Sequence, residues 1–141
     1  MAPKIIVAEN NDEVATELIK LVKSAIDSSA DSVSKIIIGL SGGSLPKFLV
    51  AGMKSDVGQN IDWSKVMFIF CDERLVAFDH PESTFGLYLS LFKDTGIKEE
   101  QFLKVAVDLD VESAAKDYED KIKVLMGDEP RADLLLLGKL Y

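Results

Sequence analysis

Two short stretches hold residues able to do chemistry. The first is "SGGS" at 41–44, set between the apolar run "KIIIGL" and a segment whose Leu45, Phe48, Leu49 and Met53 recur at helical spacing. Glycines let a backbone approach a ligand and take positive φ, Ser44 is a natural N-cap, and the free N–H groups that open a helix carry partial positive charge. Such a junction suits a phosphate. It also suits a plain tight turn with a capped helix, because it is neither a Walker A loop nor a GxGxxG fingerprint. The second stretch is "CDER" at 71–74, closing the apolar run "KVMFIF". Arg74 can supply the bidentate cation that a phosphate or carboxylate needs, and Asp72 can accept hydrogen bonds from hydroxyl groups. Alone, this cluster reads as a surface ion pair; two such clusters on adjacent strand ends shift the reading towards a site.

The elements that must carry these residues alternate in type. "KIIVA" at 4–8 reads as a strand, and "VATELIKLVKSAI" as an amphipathic helix. "SKIIIGL" at 34–40 and "KVMFIFC" at 65–71 read as buried strands, each followed by a helix, the second from Ser83 despite Gly86. "FLKVAV" predicts a further strand. Asp110 is the candidate N-cap of a helix whose stripe runs Val111, Ala114, Ala115, Tyr118, Ile122, Leu125 and Met126, and "ADLLLLG" at 132–138 predicts one more buried strand. This order implies an α/β fold, a mostly parallel sheet with helices on both faces, with residues 1–141 forming one domain. In such sheets ligands bind beyond the carboxyl ends of the strands, so SGGS and CDER should share a rim. A strand as apolar as 134–137 belongs in mid-sheet, yet only "KLY" follows it; an uncovered edge there predicts self-association.

Other candidates have plainer readings. His80, the single histidine, lies in an acidic loop before Pro81 and is assigned to the surface or to loop packing rather than to base catalysis. Cys71 reads as a small buried hydrophobe at a strand end, and Trp63 and Tyr88 as packing residues. One cysteine and one histidine offer neither a disulfide nor a zinc site, and the cytosol is the compartment expected from the absence of a span-length apolar run or a secretory signal. The formal net charge of −8 argues against a nucleic-acid partner. The apolar runs fall short of the ~20 residues of a membrane span, and the early acidic residues of "MAPKIIVAENNDE" argue against a secretory signal.

The succession "GLSGGSLPKFL", a Trp before a strand, "FCDERLVAFDHPESTFGLY" and "DLLLLG" resembles the 6-phosphogluconolactonases of the animal cytosolic type, over nearly the whole chain. The resemblance implies hydrolysis of a phosphorylated sugar lactone, 6-phospho-D-glucono-1,5-lactone, to 6-phosphogluconate in the oxidative pentose phosphate pathway, without metal or organic cofactor. It implies a fold shared with glucosamine-6-phosphate deaminases. It assigns Gly42, Gly43, Ser44 and Arg74 to the substrate phosphate, Asp72 to the side of the sugar ring as a catalytic candidate, and Ser41, Ser83 and Thr84 to the pocket wall. The family's water-activating histidine lies in a "GPDGHTCSLFP"-like segment after the "LLLLG" strand, where this sequence has Lys139, Leu140 and Tyr141. A non-catalytic phosphosugar-binding role is therefore the alternative. A deaminase is disfavoured, since it calls for a "PTGSTP"-like loop and Asp-Glu-Tyr in place of "SGGSLP" and "DER".

Overall fold

Parallel pairing sets the frame. The structure, a computed structural model, describes residues 2–29, 34–128 and 130–138. Among these, β1 (Ile36–Leu40) lies between β2 (Val66–Phe70) and β3 (Leu134–Leu136), parallel to both, with Leu40 opposite Phe70 and Leu136. Every residue of β1 is buried, as a strand covered on both faces requires. The helices are α1 (Asn11–Ser28), α2 (Leu45–Lys54), the short α3 (Asp56–Gln59), α4 (Thr84–Leu91) and α5 (Val111–Met126). One core joins Ile19, Val22 and Ile26 of α1, Leu49 and Met53 of α2, and Phe85, Tyr88 and Phe92 around α4 to the sheet face carrying Ile38, Leu40, Phe68 and Phe70. Local chemistry starts the helices: Asn10 accepts from the Glu13 N–H, and Asp110, as expected, from that of Ser113.

Several expectations need correction. Residues 4–8 form no strand: Ile5 and Val7 are 84% and 86% exposed, and no described strand pairs with them. β propensity alone does not make a strand without a neighbour to take its backbone groups. "FLKVAV" contributes a single bridge, Phe68 to Phe102, and then leaves the sheet. The Tyr118 hydroxyl causes the departure: it accepts from the Phe70 N–H at 2.8 Å and donates to the Leu103 carbonyl at 3.1 Å, standing where the next rung would form. The strand at the end of the chain is shorter and more exposed than its sequence suggests, with Leu136 buried but Leu135 and Leu137 open. Lys139, Leu140 and Tyr141 lie outside the described residues.

Candidate active site

Because β1 and β2 are adjacent and in register, SGGS and CDER leave the sheet side by side, and the Cys71 N–H extends the ladder to the Leu40 carbonyl at 2.8 Å. Ser41 still belongs to the frame. Its N–H goes to the Leu136 carbonyl, its carbonyl accepts from the buried Tyr88 hydroxyl at 2.7 Å, and its own hydroxyl accepts from the Gly138 N–H at 2.7 Å. Ser41 therefore locks the loop to β3 and α4 and lies outside the lining of the neighbouring cleft. Burial next to Cys71 and Asp72 drives the Tyr88 phenol far above its ordinary range and keeps it a donor.

Beyond Ser41 the chain changes character. Among the described residues, the N–H groups of Gly42, Gly43, Ser44 and Leu45 have no protein acceptor. Gly43 sits at φ 70°, a left-handed turn that folds these donors into a concave run. Ser44 occupies the N-cap position of α2, but with helical dihedrals and no side-chain cap, so the expected cap is not made. Pro46 removes one further N–H from the first turn. Four consecutive uncommitted donors at a helix start have the chemistry to receive an anion.

The opposite wall is α4, whose N-terminus is already satisfied. Buried Ser83 is the N-cap and accepts from the Gly86 N–H at 3.0 Å; the Glu73 carboxylate accepts from Thr84 and Phe85, each at 2.8 Å, and from Arg74 next to it at 2.8 Å. Gly86, which counted against a helix, is required here: a Cβ would fall on the Phe78 carbonyl oxygen. The role of Glu73 was missed by the sequence reading. The signal was available, because Ser83-Thr84-Phe85-Gly86 lacks the Glu or Gln that closes a capping box, leaving α4 in need of an acid from elsewhere.

Between the walls lies a cleft of about 190 Å³, lined by Gly42, Gly43, Asp72, Arg74, Ser83 and Thr84 among others. The exposed Arg74 guanidinium makes no ion pair among the described residues. Asp72 also borders a second cleft of about 310 Å³ towards Tyr118 and Val111, but that one is mainly apolar and lacks the loop donors. His80 is exposed and distant in role: its Nδ1 accepts from the Glu82 N–H at 3.1 Å within its own loop. Cys71 is exposed rather than buried, and partial burial of its thiol, with Asp72 adjacent, raises its pKa above the usual thiol value. That disfavours the thiolate. Among the described residues no three His, Cys, Asp or Glu side chains gather as a metal site, and no helix is long and apolar enough to cross a membrane.

A family model described as glucosamine-6-phosphate isomerases/6-phosphogluconolactonase matches residues 9–139. The chain belongs to this family. It is 39% identical over 144 residues to the 6-phosphogluconolactonase of Homo sapiens and 34% identical over 139 residues to a probable 6-phosphogluconolactonase of Drosophila melanogaster. Each match covers 97% of this chain, but 56% and 55% of those proteins, so the chain spans little more than half their length. The solved 6-phosphogluconolactonase from Trypanosoma cruzi superposes with a TM-score of 0.80 at 27% identity, over 95% of this chain and 57% of that one. The family expected from SGGS, CDER and LLLLG is thus the one found, with its parallel α/β fold.

Proposed function

We propose that this chain carries the phosphate-binding half of a 6-phosphogluconolactonase site, in a protein that hydrolyses 6-phospho-D-glucono-1,5-lactone. One observation carries the reading: the uncommitted N–H groups of Gly42 and Gly43 and the unpaired Arg74 line one cleft at adjacent strand ends, while Ser44 and Leu45, outside that lining, continue the run of uncommitted donors into α2. The names of the relatives supply the substrate. The loop and Arg74 hold the phosphate, remote from the reacting carbonyl, and binding energy gained there positions the lactone for attack by water. Asp72 faces the same cleft and is the group that meets the sugar hydroxyls or assists proton transfer. Ser83 and Thr84 form the wall opposite. No cofactor enters this scheme, and we place the protein in the cytosol, where a free thiol such as Cys71 stays reduced.

The second reading is phosphosugar binding without turnover, favoured by the exposure of His80 and its engagement within its own loop. Lactone hydrolysis by the 141-residue chain, measured on freshly generated substrate above the spontaneous rate, separates the two. Turnover that Arg74→Ala reduces by about 10-fold or more supports the enzyme, since one charge-assisted pair is worth about 1.5–3 kcal/mol. Binding of 6-phosphogluconate with a background rate supports the second reading, and neither binding nor turnover contradicts both. A deaminase is disfavoured by "SGGSLP" and "DER", and a glucosamine 6-phosphate assay checks that.

A further inference from the structure

The carboxylate of Glu73 stands beside an anion site without facing it, and its three bonds explain why. Oε1 accepts from the N–H groups of Arg74 and Thr84 and Oε2 from that of Phe85, so one side chain ties the end of β2 to the first turn of α4. The negative charge is well placed at the N-terminus of α4 and is spread over three donors. Two consequences follow. The backbone at Arg74 is fixed relative to Ser83 and Thr84, setting where its guanidinium can reach. With Ser83 taking the Gly86 N–H, the first donors of α4 are also consumed, leaving those of the SGGS loop, with Gly42 and Gly43 lining the cleft, as the ones open to an anion.

We propose that Glu73 is a positioning residue: it braces Arg74 against α4 and, by occupying the α4 donors, directs the phosphate to the SGGS loop. The proposal rests on that loop being the phosphate site. The test is a binding cycle with 6-phosphogluconate on the full 141-residue chain, by calorimetry, using Glu73→Ala, Arg74→Ala, the double variant and Glu73→Gln.

Glu73→Ala, although it removes no group touching the ligand, is expected to weaken binding by about 10-fold, while the double variant binds within about twofold of Arg74→Ala alone. Glu73→Gln keeps an acceptor for Arg74 and Thr84 and loses the bond to Phe85, so it should recover binding to within about threefold of the unaltered chain. Losses that multiply in the double variant, or unaltered affinity in Glu73→Ala, overturn the proposal. If Glu73→Ala does not fold, Glu73→Gln enters the same cycle, and its smaller loss must vanish in the Arg74→Ala background. No binding by the unaltered chain would overturn the phosphate-site reading and this proposal with it, whereas normal binding with an additive cycle overturns this proposal alone.

Discussion

Two glycines with different reasons for being glycine divide the work at the rim. Gly43 has open space where a Cβ would stand, but its φ of 70° strains any L side chain, so Gly43→Ala should cost about 1–2 kcal/mol of stability and disturb the donor run. Gly86 has an ordinary φ, but a Cβ there would meet the Phe78 backbone, so Gly86→Ala should cost about 3 kcal/mol and displace the 78–83 loop. Chemical denaturation of both variants tests the order; a larger loss for Gly43→Ala would contradict it. At this scale the sequence showed which residue types met at the strand ends, because glycine, serine and arginine announce their uses. It did not show that the Ser41 hydroxyl turns to Gly138, 97 residues away, nor that Ser44 leaves its helix uncapped. Those outcomes depend on what the fold brings close.

Among the elements, α5 is tied to the end of β2 by a single side chain. Its Tyr118 hydroxyl replaces a rung between β2 and residues 102–107, so Tyr118→Phe leaves the Phe70 N–H and the Leu103 carbonyl unpaired at a cost of about 2 kcal/mol. Burial, opposed by the Phe70 N–H, pushes the Tyr118 phenol up to about 12 from its usual 10.0. A folded-state pKa above the unfolded one favours the protonated form on folding. That stabilisation is complete below pH 10.0 and is lost as pH rises through about 12. Melting temperatures should fall across this window in the unaltered chain and more gently in Tyr118→Phe; parallel curves would show that Tyr118 does not carry the effect. Hydrophobic periodicity located α1 and α2 because one face of each meets the core, whereas the apolar stripe that marked α5 as a helix stays largely open, with Ala114 buried and Val111 70% exposed. It failed at 4–8 and 102–107, where a strand depends on a partner rather than on its own residues.

For the molecule as a whole, the open flank is β3. Leu135 and Leu137 are 54% and 69% exposed beside a backbone edge that pairs only with β1 among the described residues. We propose that the chain associates through this edge. Sedimentation equilibrium should show concentration-dependent association that Leu135→Lys suppresses, and a monomer at all concentrations would refute it. The alternation of strands and helices was sufficient to obtain the parallel sheet and the shared rim, since crossover handedness leaves few other arrangements. The exposure of β3 was harder to read, because "LLLLG" has the composition of a central strand whatever its neighbours. The most direct measurement is an amide-resolved NMR titration of the 141-residue chain with 6-phosphogluconate. The N–H signals of Gly42, Gly43, Ser44 and Leu45 should shift together and saturate, while those of Thr84 and Phe85, held by Glu73, stay nearly still. Saturable shifts confined to the α4 start or to the cleft near Tyr118, or none at all, would contradict a phosphate cradle on the SGGS loop.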